Sequence, residues 1–232
     1  MDFNNYINSK GRPLPVFLLV DVSGSMRGQK IDTVNVALKE MIKQFRSIEN
    51  PKGEIELCLI TFGNRDAKVI RPLSPITDGD NYLLCAEGNT PMGMAFDKLS
   101  DLVEDDSVVS GRAYTPTIVL ISDGNPTDYD AKGKTTDQIK EWGKMSKILQ
   151  GKRTSRSVRL AMGIGADMNI DLLKAFVNNP DIPIINAMNN GTITKFFKWV
   201  TLSVSTRSVS NNPNAVAVSD PDDVFDNGEV VF

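Results

Sequence analysis

The chain of 232 residues contains no histidine at all. That absence excludes Ser-His-Asp and Cys-His nucleophile machinery, HExxH metalloproteases and histidine-ligated zinc sites. Cysteine is almost as scarce. Cys58 and Cys85 stand alone, with no CxxC spacing, and read as two reduced thiols, Cys58 as a small buried hydrophobe in a strand. An apolar run of about 18 or more residues is also missing, so no membrane-spanning helix is expected. The first residues, Met1 to Pro13, are polar and lack the apolar core of a secretory signal, which gives a cytoplasmic location as the default. A strong field of one sign is lacking too. The formal net charge is −3 with both signs interspersed, so neither nucleic acid nor a membrane surface is an expected partner.

What is present alternates. Continuous apolar runs exchange with three-and-four-spaced patterns, which predicts an α/β fold, a doubly wound and mostly parallel sheet with helices on both faces. The run Val16 to Val20 predicts a strand covered on both sides. Ile31, Val34, Leu38, Met41, Ile42, Phe45 and Ile48 then mark one face of a long helix. Strands over Ile55 to Phe62 and Ala67 to Arg71 are joined by only Gly63 to Asp66, too short for a parallel crossover, so one edge strand is expected to run antiparallel. Helices follow near Met92 to Val103, Thr136 to Leu149, Ile170 to Val177 and Thr192 to Val204. Strands are expected at Thr117 to Ile121, Val158 to Ile164 and Ile182 to Ile185. The organisation is then a lead over 1–14, a domain over 15–204 and an acidic tail over 205–232. In that tail Asp220, Asp222, Asp223, Asp226 and Glu229 face only Arg207, and it is expected to be disordered or laid along the domain surface.

Three loops carry hard oxygens. Asp21-Val22-Ser23-Gly24-Ser25-Met26 follows the first strand, Thr90 sits ahead of the helix at Met92, and Asp123-Gly124 ends the strand Thr117 to Ile121. Ligands of open α/β sheets gather beyond the carboxyl ends of strands, where strand order reverses. Donors without sulfur or imidazole suit Mg2+, Ca2+ or Mn2+. Asp21, Ser23, Ser25, Thr90 and Asp123 are too few to saturate such an ion, so an open position is expected for a carboxylate of another protein. An EF-hand places Asp21, Ser23, Ser25 and Asp32 at its first, third, fifth and twelfth positions, but Met26 replaces the required glycine and a strand precedes the loop, so it is rejected.

The order Asp21-x-Ser23-x-Ser25, a Gly-x-Thr-Pro loop and an Ile-Ser-Asp-Gly turn resembles the metal-ion-dependent adhesion site (MIDAS) of von Willebrand factor A domains, over about Val16 to Val204. The wording from Ser23 to Ile31 and from Ser122 to Asp128 looks closest to the bacterial intracellular, tellurite-resistance-associated branch. The resemblance implies direct ligation by Ser23, Ser25 and Thr90, with Asp21 and Asp123 acting largely through water. It also implies a role as a metal-dependent protein-binding adaptor rather than an enzyme, in an assembly with a protein phosphatase and a Ser/Thr kinase. Asn89 stands where many relatives carry Gly, and Ser122 where many carry Thr. Two other functions remain open at this stage: magnesium-dependent phosphoryl transfer, disfavoured by the lack of a Walker loop and of an Asp-x-Asp pattern, and self-association through the acidic tail. Thr127, Asp128 and Asp130 either rim the site or form a solvated turn. The basic stretch Lys144, Lys147, Lys152, Arg153, Arg156 and Arg159 reads as a solvated surface away from the site.

Overall fold

The computed structural model describes residues 11–49, 52–226 and 228–232; most of the expected lead, 1–10, lies outside them. Seven strands form one sheet, β1 (Arg12–Asp21), β2 (Gly53–Gly63), β3 (Asp66–Pro75), β4 (Thr117–Ser122), β5 (Val158–Ile164), β6 (Ile184–Ala187) and β7 (Val230–Val231). They lie in the order β3-β2-β1-β4-β5-β6-β7. β2, β1, β4, β5 and β6 run parallel, and β3 and β7 pair antiparallel at the two edges. The helices are α1 (Gln29–Arg46), α2 (Met92–Glu104), α3 (Thr136–Lys140), α4 (Gly143–Gln150), α5 (Ile170–Val177) and α6 (Asn190–Val209).

Alternation along each central strand feeds two cores. Leu14, Val16, Leu18 and Val20 of β1 face the layer of α1 and α6, while Phe17 and Leu19 face the layer of α2, α4 and α5. β4 divides in the same way, with Val119 and Ile121 on one side and Ile118 and Leu120 on the other. A strand buried on both faces has no reason to alternate apolar with polar residues, hence the unbroken apolar runs.

The structure departs from expectation in three places. The single helix expected over Thr136 to Leu149 is two, because Trp142 takes an extended conformation (ψ 122°) ahead of Gly143. Its indole stacks on Tyr129 with ring centroids 4.2 Å apart, a contact that a continuous helix would have to give up. The sheet has a second antiparallel edge strand, β7, where one was expected. The last helix runs on to Val209, past the expected boundary at 204/205. Of the two expectations for the tail, the described part follows the second: it is laid along the domain. Arg207 donates to Pro213 O and Thr115 O, Trp199 Nε1 donates to Ser219 O at 2.7 Å, and Phe225 packs edge-on to Trp199.

The basic stretch stays partly at the surface, with Lys144, Lys147, Lys152 and Arg156 exposed, but much of it is paired within the domain. Lys144 pairs with Asp97 and Lys147 with Asp101 on α2, Arg153 caps the Val103 and Glu104 carbonyls, and Arg159 is buried. None of the described helices is long and apolar enough to cross a membrane.

Candidate metal centre

Strand order reverses between β1 and β4. From β1 the chain crosses to β2 on one side, and from β4 to β5 on the other, so the loops leaving β1 and β4 diverge and open a crevice at their carboxyl ends. Val20 is paired with Ile121, which brings Asp21 beside Ser122 and the Asp123 turn across the strand ends. The Ser122 hydroxyl donates to Asp21 Oδ2 at 2.6 Å, and the Ser23 N–H donates to Asp21 Oδ1 at 2.8 Å.

The two serines follow from that anchor. After Ser23 the chain makes a tight turn over Gly24–Met26, and Met26 is wholly buried, which pins the loop to the core. The Ser23 and Ser25 hydroxyl oxygens lie 3.0 Å apart, and the Ser25 hydroxyl donates to Asp123 Oδ1 at 2.7 Å. Asp21, Ser23 and Asp123 are buried, while Ser25 is open to solvent. The centre is therefore a cluster of oxygens at the protein surface with one accessible side.

The loop that carries Thr90 is tied to the centre. The Gly24 N–H donates to Gly88 O at 2.9 Å, joining the loop before Thr90 to the serine turn. Thr127 clasps Thr90 from the other side, its N–H donating to Thr90 O at 2.9 Å and its hydroxyl accepting from the Thr90 N–H at 3.2 Å. Asp128 accepts from the N–H groups of Gly93 and Met94 and so holds the start of α2 to the same turn. Gly88 takes a left-handed backbone (φ 69°), and a Cβ there would lie 2.4 Å from the Asn64 Cα. The left-handed residue of this loop is thus Gly88, not Asn89. All five expected donors lie on three loops laced at one end of the sheet.

Three residues beyond the five expected donors belong to this constellation. Ser122 holds Asp21. Thr127 positions Thr90 rather than lying in a free turn. Lys30, in the first turn of α1, places Nζ 2.5 Å from Asp123 Oδ2. The signal for Thr127 was its place four residues after Asp123; Lys30 had none, since its partner lies 93 positions away.

Burial pushes the Asp21 carboxyl up to about 6, against the lowering effect of the hydrogen bonds from Ser122 and Ser23; the neighbouring Asp123 pushes it further the same way. Two buried carboxylates side by side repel, and a cation between them would relieve both. The donor set fits a hard divalent ion. Among the described residues no three His, Cys, Asp or Glu side chains gather, so a soft, thiolate- or imidazole-bound ion has no site. The 3.0 Å between the serine oxygens equals the edge of an octahedron with bonds of about 2.1 Å. A hydroxyl can also ligate through a lone pair while still donating its proton to a carboxylate, which is how Ser25 meets Asp123.

Residues 16–125 match the family model described as the von Willebrand factor type A domain. No curated protein matches the chain. Among solved structures, the fold is similar to a von Willebrand factor type A protein from Catenulispora acidiphila, with TM-score 0.64 and 15% identity over 84% of this chain and 43% of that one. It is also similar to the pilus adhesin SpaC from Lactobacillus rhamnosus GG, with TM-score 0.65 and 14% identity over 86% and 31%. A third is proximal thread matrix protein 1 of the mussel byssus, solved with a zinc-occupied MIDAS motif, with TM-score 0.58 and 14% identity over 84% and 46%. The chain spans less than half the length of each of these three. Over residues 16–125 the sequence is similar to the von Willebrand factor type A family, and over most of its length the fold is similar to solved structures described by that name.

Proposed function

We propose that this chain is a divalent-cation-dependent protein-binding module. Asp21, Ser23, Ser25, Thr90 and Asp123 hold the ion, and an Asp or Glu of a partner protein completes its shell. The observation that carries the reading is the Ser23–Ser25–Asp123 cluster, in which solvent-open Ser25 touches both buried partners. When bound, the ion supplies a Lewis-acidic point of attachment for a carboxylate. The protein's own part is to keep that point electrophilic. Its serine hydroxyls are neutral donors, and its two carboxylates are occupied, Asp21 by Ser122 and Ser23, Asp123 by Ser25 and Lys30.

Oxygen donors alone favour magnesium as the resident ion, with manganese or calcium able to replace it. The adhesin and the zinc-bound MIDAS protein among the similar folds support an attachment role of this kind. The reading is non-enzymatic, because the chain has no Walker loop and Asp21-x-Ser23 does not meet the Asp-x-Asp pattern of aspartyl-phosphate enzymes. The resemblance to the tellurite-resistance-associated branch adds a bacterial, cytoplasmic setting within a stress-response or signalling assembly containing a protein phosphatase and a Ser/Thr kinase.

Self-association through the acidic tail has less support. Asp226 and Glu229 already pair with Lys195 of their own chain. The test is affinity purification from the native host in magnesium and in EDTA, with wild type, Asp21→Ala and Ser23→Ala. The partner is expected to be lost in EDTA and in both variants. A folded Asp21→Ala protein that keeps its partner at full strength would overturn the proposal.

A further inference from the structure

Lys30 stands in a place that helix electrostatics disfavours. It occupies the first turn of α1, where backbone N–H groups already present positive charge and an acidic residue is preferred. Its ammonium lies 2.5 Å from Asp123 Oδ2. The Lys30 side chain is 34% exposed, but that of Asp123 is 1% exposed. An ion pair with one partner wholly buried is screened less than an ordinary surface pair.

We infer that Lys30 is a built-in competitor of the divalent ion: its ammonium neutralises Asp123 in the ion-free protein and weakens ion binding until a partner carboxylate arrives. The inference rests on the proposed metal centre and deepens it. With Asp21 and Asp123 ionised, Lys30 leaves the ion-free cluster with a single negative charge. A divalent ion turns this into a single positive charge, and one carboxylate from outside restores neutrality. Without Lys30 the ion alone would balance the cluster. Lys30 thus gives the site a use for one acidic side chain, and an ion is held firmly only together with that side chain.

The probe is Mn2+ alone, followed by isothermal titration calorimetry on wild type, Lys30→Met, Lys30→Arg and Lys39→Met. Lys39, exposed on the same helix, controls for net charge. Lys30→Met is expected to bind Mn2+ about tenfold more tightly, the scale of removing one partly screened charge at close range. Lys30→Arg and Lys39→Met are expected to stay within about twofold of wild type, since one retains the charge and the other removes it at a distance. Unchanged or weaker binding by Lys30→Met overturns the competitor role while leaving the metal centre standing. If neither wild type nor Lys30→Met binds Mn2+, the metal centre itself falls, and the competitor role with it.

Discussion

The two ends of the central strands bury charge in opposite ways. At the amino end the buried groups are cations. Arg207 donates to Pro213 O, Thr115 O and the Thr117 hydroxyl, and Arg159 donates to Thr154 O and Val177 O. Burial lowers both guanidiniums to about 10, which leaves them charged at neutral pH. At the carboxyl end the buried groups are anions, Asp21 and Asp123, held by hydroxyls, the Ser23 N–H and one ammonium. The partners make the difference. Backbone carbonyls around a guanidinium are fixed, and the arrangement locks one loop to another. Hydroxyls can turn and keep lone pairs to spare, so the same kind of burial leaves a site able to take a ligand. One end locks the fold; the other is where the proposed ion would bind.

That contrast breaks most readily at Asp21. Asp21→Ala is expected to reduce Mn2+ affinity more than a hundredfold by calorimetry, while the protein remains folded by circular dichroism; loss of a carboxylate from a metal centre acts on this scale or above. Arg207→Met should do the reverse. Leaving the Pro213, Thr115 and Thr117 acceptors without their donor costs about 2–3 kcal/mol, read as a lower urea midpoint. Its Mn2+ affinity should match wild type, and a large change would mean the two ends are coupled.

Thr127→Val sharpens the comparison within the carboxyl end. It keeps the backbone bond to Thr90 O but removes the hydroxyl acceptor, so Mn2+ affinity should fall about fivefold, near 1 kcal/mol, with the urea midpoint scarcely moved. The pH dependence is the smallest effect. With its folded value near 6 against an ordinary 3.8, Asp21 binds a proton between about pH 4 and 6 that the unfolded chain has released. The ion-free fold therefore loses stability as pH rises through that window, and Asp21→Asn should abolish this slope. Mn2+ affinity should climb over the same range by at most about tenfold per unit, then level off above 6.

The sheet was legible because burial on both faces writes unbroken apolar runs, as in Val16–Val20 and Ile118–Ile121. Helix periodicity located α5 at its observed bounds. The break at Trp142 was not legible, since it depends on a stacking contact with Tyr129 rather than on the amphipathic pattern, which continues across it. β7 is two residues long, Val230–Val231, inside an acidic stretch, and gains its conformation from β6 alone. In the centre, the five oxygen donors were legible as a motif because their types and order are particular. The contacts of Ser122, Thr127 and Lys30 were not, because serine, threonine and lysine in a turn or a first helical turn ordinarily face water; of the three, Thr127 alone reads from the sequence as a candidate rim residue. Only the register of β1 with β4 reveals what Ser122 and Lys30 touch.

Anomalous diffraction from a crystal grown in Mn2+ tests the central claim most directly. The expected result is a single strong peak within coordination distance of the Ser23, Ser25 and Thr90 hydroxyls, with Asp21 and Asp123 beside it and one face of the ion held by water. A peak elsewhere, no peak at all, or an ion already enclosed by the chain's own groups would contradict it.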